Sequence, residues 1–144
     1  MQDKSHPLYR INDFFEAYAN AVINHDSKYL AKCHALPCSF IADDSTLVYT
    51  TAAKLEGLIN QSKRFYNVHG ITEATPDIRS KRPITDRIVQ VNLTWTYSNA
   101  KGRAIYDCDY QYILKLDEHN QWKIEAAISV NEKDKIELLV KKKG

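Results

Sequence analysis

The spacing of apolar residues changes period once along the chain, near Gly70. Before that point apolar positions recur at steps of three and four, the signature of helices with one buried face. Ile11, Phe14, Phe15, Tyr18, Val22 and Ile23 form such a stripe and predict a helix over residues 7–24. Pro7 suits its first turn, where the missing N–H costs nothing, with Ser5 or His6 at the cap. Asn24, His25 and Asp26 interrupt the stripe. Asp26 is placed to cap a short second helix through Tyr29, Leu30 and Cys33, which Pro37 closes. Two short strands over residues 38–42 and 46–50 turn at Asp43, Asp44 and Ser45. Thr51 caps a third helix whose buried side carries Leu55, Leu58, Ile59, Ser62, Phe65 and Tyr66, and Gly70 stops it.

After Gly70 the period is two, and residues 71–80, 87–97, 103–116 and 121–130 read as four long strands. The short turns at 99–102 and 117–120 make the last three antiparallel neighbours. In the second long strand Val89, Val91, Leu93, Trp95 and Tyr97 share one face. The third presents Ala104, Tyr106, Cys108, Tyr110, Tyr112, Leu114 and Leu116 on one face, opposite Asp107, Asp109, Gln111 and Lys115. The fourth sets Trp122, Ile124, Ala126, Ile128 and Val130 on its apolar side. One face of the sheet is therefore apolar and aromatic and must be covered, and the three amphipathic helices are the available cover. The predicted class is α+β in the order ααββαββββ, with three helices of the N-terminal half on the concave face of a curved, mainly antiparallel sheet. That layout makes a cone around an internal pocket. No repeat or linker divides residues 1–130, which read as one domain, and residues 131–144 read as a charged C-terminal tail.

Three stretches strengthen this reading. Phe14-Phe15-Glu16-Ala17-Tyr18 leads into Asn24-His25-Asp26, and Leu36-Pro37-Cys38-Ser39-Phe40 and Val91-Asn92-Leu93-Thr94-Trp95-Thr96-Tyr97 follow. With the element order, these resemble the nuclear transport factor two-like superfamily over residues 8–130. That cystatin-like α+β group includes ketosteroid isomerases, scytalone dehydratases and SnoaL-like polyketide cyclases. The resemblance implies a homodimer formed through the outer sheet face. It also implies site residues, carried over from the ketosteroid isomerases one by one. Tyr18 matches the oxyanion-stabilising tyrosine, and the strand position of the second oxyanion donor falls on Tyr112. The general-base aspartate falls on Ala42, with Asp43 the next residue. A one-residue shift along a strand turns a side chain to the opposite face, so the base is missing or displaced.

Composition adds mostly exclusions. The chain has 144 residues, a near-balanced net charge of +2, and 44% hydrophobic and 26% charged residues, which is ordinary for a folded domain and gives no reason to expect a polyanion partner. Lys141, Lys142 and Lys143 read as a solvated end, because no aromatic residue interleaves with them. Four glycines in total build neither a G-x-G-x-x-G turn nor a Walker loop, and no G-x-S-x-G elbow occurs. Cys33, Cys38 and Cys108 form no C-x-x-C pair and lie among apolar neighbours, pointing to a reducing, cytoplasmic setting. The five histidines have no metal-ligand spacing, and no cofactor motif or nucleic-acid element is present. No run of apolar residues is long enough to cross a membrane, and residues 1–10 carry no signal-peptide core.

The remaining chemistry is a phenol pair and an aromatic wall. Tyr18 and Tyr112 can act as donors to a ligand carbonyl, or serve as core tyrosines with local partners. Phe15, Tyr49, Trp95, Tyr97, Cys108 and Tyr110 suit a pocket for a flat, apolar molecule, and core packing predicts the same types. Asp43 is either a displaced base or an ordinary turn residue. Asp107 and Asp109 project from the polar face of their strand. Three functions follow. The first is a pocket domain for a small, largely apolar or aromatic ligand. The second is an isomerase, dehydratase or cyclase in which Tyr18 and Tyr112 hold an oxyanion and Asp43 or a histidine moves the proton. The third is a protein-interaction module using Ile105 and Ile113 on the outer sheet face.

Overall fold

The computed structural model describes residues 7–143, with side chains through residue 141. The cap expected at Ser5 or His6 lies outside the described residues, as do the side chains of Lys142 and Lys143. The change of period at Gly70 marks a real boundary between a helical half and a strand-rich half. A 3-10 turn at Pro7–Tyr9 leads into α1 (Arg10–Ile23), followed by α2 (Ser27–Lys32), β1 (His34–Ala42), β2 (Ser45–Tyr49) and α3 (Ala52–His69). Then come β3 (Glu73–Pro83), β4 (Ile88–Ser98), β5 (Ala104–Leu116), β6 (Trp122–Ser129) and α4 (Glu132–Lys143). The predicted caps form. Asp26 Oδ1 accepts the Tyr29 N–H at 3.1 Å, and Thr51 Oγ1 accepts the Lys54 N–H at 3.3 Å. Gly70 ends α3 with φ +67°, a left-handed turn that a residue with a Cβ adopts at a cost.

The sheet is curved, open and mixed, with strand order β2-β1-β6-β5-β4-β3. All neighbours are antiparallel except β1 and β6, which run parallel. The helices of the N-terminal half cover its concave face. Val89, Val91, Leu93, Trp95 and Tyr97 are all buried, as the alternation of β4 predicts, and so are Tyr106, Cys108, Tyr112, Leu114 and Leu116 of β5. Phe15 of α1 is fully buried at the centre, its ring 5.1 Å from that of Tyr112 and 6.4 Å from that of Trp95. Among the described residues no helix is long and apolar enough to cross a membrane.

Three local expectations are corrected. Pro37 does not close α2, which ends at Lys32; it lies inside β1, which begins at His34 rather than at residue 38. Its missing N–H is tolerated because the β1–β6 pairing is interrupted between His34 and Ser39. In β6 the inward set is Trp122, Ile124 and Ala127, whereas Ala126 and Ile128 are only half-buried and Val130 is 49% exposed. A bulge causes this: Leu114 pairs with Ile124 but Ile113 pairs with Ala126, so Glu125 has no opposite residue and the parity flips beyond it. The charged tail expected after residue 130 is α4, whose Ile136 and Leu139 pack against the main core.

Phe15→Ala should lower stability by about 3–5 kcal/mol, the usual cost of removing a fully buried ring. Urea unfolding measures this, and a loss below about 1 kcal/mol would show that α1 does not anchor the core as described.

Candidate functional site

Alternation along two paired strands builds one wall of an interior cavity. Tyr97 pairs across β4 and β5 with Tyr106, their rings stacked 4.8 Å apart, and Trp95 pairs with Cys108. Trp95 and Tyr97 are successive inward residues of β4, stacked at 6.2 Å, and Tyr110 and Tyr112 do the same on β5 at 5.5 Å. The opposite wall comes from the helices: Tyr18 and Val22 of α1, Leu30 of α2, and Leu58, Ile59, Ser62 and Tyr66 of α3. Phe40, Ala127 and His25 complete the sides. The space between these walls, partly open to solvent, is about 210 Å³.

Glu132, the first residue of α4, brings the one carboxylate to this lining. The Tyr106 hydroxyl donates to its Oε2 at 2.9 Å and the Tyr110 hydroxyl to its Oε1 at 2.5 Å, with Cys108 Sγ 3.6 Å from Oε2. Phenol-to-carboxylate bonds of this kind are charge-assisted and strong. The start of α4 is fixed by its own bonds. Asn131 Oδ1 accepts the Asp109 N–H at 2.8 Å, Asn131 Nδ2 donates to Asp109 Oδ2 at 3.0 Å, and Ser129 Oγ accepts the Glu132 N–H at 3.4 Å. Lys133 is paired with Asp44, and Lys135 with Asp107 at 2.8 Å.

The phenols stay protonated. Burial raises the Tyr18, Tyr97 and Tyr112 hydroxyls above the ordinary range, with neighbouring acidic groups adding to it. Burial, then the Glu132 carboxylate, raises Tyr106, Tyr110 and the Cys108 thiol. These groups serve as hydrogen-bond donors or packing surface, and the thiol is held in its unreactive form. Tyr112 Oη accepts a bond from Trp95 Nε1 at 2.8 Å, which leaves its own proton to donate. The Tyr18 hydroxyl makes no hydrogen bond among the described residues.

Of the residues singled out in the sequence, Tyr18, Tyr112, Trp95, Tyr97 and Tyr110 line the cavity together. Phe15 lies behind the rings of Tyr18, Trp95 and Tyr112. Cys108 lies fully buried beneath the Tyr106–Glu132 bond. Tyr49 does not reach the cavity: it packs edge-on against Phe40 at 5.5 Å and borders a shallow depression with Lys54 and Gln61. Asp43 is not brought to Tyr18 and Tyr112 either. The β1–β2 turn carries it past the end of the paired strands, where it is exposed and borders a separate depression. Glu132, which the sequence reading passed over, is the carboxylate that lines the cavity among the described residues. Its signal was present in Asn131 as a cap, acidic residues in a first turn, and Ile136, Leu139 and Val140 at helical spacing.

Comparisons with known proteins agree with this architecture. The family model described as NTF2-like protein (DUF6841) matches residues 5–132. No curated protein matches the chain in sequence. A solved domain of unknown function with a cystatin-like fold from Nostoc punctiforme superposes with a TM-score of 0.70 at 12% identity, covering 91% of this chain and 80% of that one. An NTF-2 like protein of unknown function from Shewanella oneidensis gives 0.67 at 11% identity, covering 86% and 98%. A ketosteroid isomerase-like protein from Erwinia carotovora atroseptica gives 0.63 at 13% identity, covering 90% and 97%. At these identities the likeness is one of fold.

One buried group behind the cavity gives a pH test. His34 is 5% exposed, its Nδ1 is 2.8 Å from the Leu30 carbonyl, its Nε2 has no partner among the described residues, and its ring is 6.0 Å from that of Tyr18. Burial, opposed by the Leu30 bond, lowers its pKa from 6.5 to about 4. Between those values the unfolded chain binds the proton and the folded one does not, so stability falls as pH drops from 6.5 and levels off below about 4. The loss expected from this residue is about 3 kcal/mol. Urea unfolding across that range should show a shallower pH dependence in His34→Gln, and an unchanged slope would mean that the imidazole is protonated in the folded state.

Proposed function

The chain belongs to the NTF2-like protein family (DUF6841), and on that premise we propose that it binds one small, flat, largely apolar molecule in its interior cavity. The observation that carries this reading is a wall of rings bordering about 210 Å³ with polar groups at only a few fixed points. That volume exceeds the ~150 Å³ that holds benzene in an engineered cavity and falls short of the roughly 300–1,000 Å³ of drug-sized pockets. A single ring with a short substituent fits that space. The protomer works as a homodimer through the outer sheet face, where Ile41, Ile113, Ala126 and Ile128 are half-buried side by side. The free, buried thiols of Cys33, Cys38 and Cys108 support a reducing, cytoplasmic setting.

A second reading, proton transfer beside a ligand carbonyl, is favoured by one observation. Tyr18, Tyr112 and Glu132 line the same space, so two phenol donors and a carboxylate face one ligand. In that case Glu132, not Asp43, is the base.

Single-ring aromatics should raise the melting temperature and quench Trp95 fluorescence. Ligand at about 100 times its Kd adds roughly 3 kcal/mol of stability. Ala127→Leu, which pushes three carbons into the cavity, should weaken binding by about ten-fold or more with the fold intact. Equal ligand-induced shifts in the variant and the parent would place the ligand elsewhere and end this reading. For the second reading, deuterium exchange into the α-position of a bound aryl ketone should vanish in Glu132→Gln and persist in Asp43→Asn; no exchange in the parent rules it out.

A further inference from the structure

We propose that the ligand of this cavity is a cation, a small aryl-alkyl ammonium or methylated amine whose charge is met by Glu132. This rests on the pocket reading above and specifies its ligand. Among the described residues the lining holds no lysine or arginine, and its titratable groups are Glu132, His25 and protonated phenols. The carboxylate is hydrogen-bonded by Tyr106 and Tyr110, but no described cation pairs with it: the two nearest lysines of α4, Lys133 and Lys135, are taken by Asp44 and Asp107. Two phenol bonds occupy only part of its acceptor capacity, since a carboxylate offers about four lone-pair sites. A half-buried carboxylate without a countercharge is an incomplete pair, and an ammonium group completes it. An anionic ligand would bring two negative charges into one poorly solvated space.

The rings favour the same occupant. Trp95, Tyr97, Tyr18, Tyr66 and Tyr110 surround the space, and aromatic faces attract cations through their quadrupoles. A second, independent feature lies next door. Glu132 also borders a surface depression of about 240 Å³ lined by Asp43, Asp44, Asp134 and Glu137, with Lys133 as the cation there. Five carboxylates against one ammonium, itself paired with Asp44, give the approach to Glu132 a negative potential that concentrates cations. The depression acts as a vestibule and the ring-lined cavity as the binding chamber. Glu132 stands on the border of both.

The test compares benzylamine, benzyl alcohol and benzoate, three single-ring ligands of similar size and different charge, by NMR titration at pH 7 and low salt. The expected order is benzylammonium about ten-fold tighter than the alcohol, with benzoate weakest. The preference should shrink on adding salt. It should also shrink to under about three-fold in Glu132→Gln, and binding of the ammonium should be lost in Ala127→Leu. Alcohol or benzoate binding as tightly as the ammonium in the parent protein overturns the charge inference and leaves the pocket reading standing. That comparison needs no variant, so it holds even if Glu132→Gln fails to fold. Ammonium binding that survives in Ala127→Leu puts the cation in the outer depression and also overturns the proposal. Binding of none of the three overturns the pocket reading and this inference with it.

Discussion

Trp95 and Tyr97 on β4, and Tyr106, Tyr110 and Tyr112 on β5, stand on one face because side chains of a strand alternate. That face is too large and too apolar to be left in water. Covering it obliges α1, α2 and α3 to lie across the concave side of the sheet. Rigid rings and a curved surface do not tile without gaps, and the space left between the ring wall and α3 is the cavity. Fold and site thus share one cause. The residues that hold the sheet to the helices are the residues that a ligand would touch.

Glu132 changes the character of that space. Without it, the interior would be a set of protonated phenols and hydrocarbon, able to donate hydrogen bonds but carrying no charge. With it, the chamber has a direction: rings at the floor, and an anion where α4 begins. Holding a carboxylate there requires the paired donors Tyr106 and Tyr110, since a desolvated charge with unsatisfied oxygens is costly. The alternation of β5 supplies both from one face, two steps either side of the small Cys108, which leaves room for the acid.

The parts of the molecule governed by a clean period were legible in the sequence. The inward set of β4 and most of that of β5 came directly from alternation, and Asp26, Thr51 and Gly70 announced their helix ends by residue type. The parallel partnership of β1 with β6 is a long-range pairing, and nothing local in residues 34–42 encodes it. That is why Pro37 read as a helix stop when it lies within a strand. The fold family suggested a carboxylate near residue 43, and proximity in sequence favoured Asp43. The structure brings Glu132 to the cavity from the far end of the chain, where the next residue, Lys133, bonds across 89 positions to that turn's other aspartate, Asp44. Its helix was masked by density of charge: residues 132–137 are mostly ionisable, and the apolar side of α4 is only Ile136 and Leu139.

The bulge at Glu125 sets which residue of β6 stands beside Tyr110. With an uninterrupted register, β6 would present Ala126 and Ile128 inward, and a branched hydrocarbon would stand beside Tyr110. The extra residue rotates Ser129 into that position, opposite Tyr110, where its hydroxyl accepts the first N–H of α4. The polarity of the position beside Tyr110 is therefore decided by counting along a backbone, not by the inventory of residues in the strand. Losing the extra residue would also turn Ala127, which lines the cavity, to the outer face, so a single backbone insertion sets the polarity of this corner and part of the wall together.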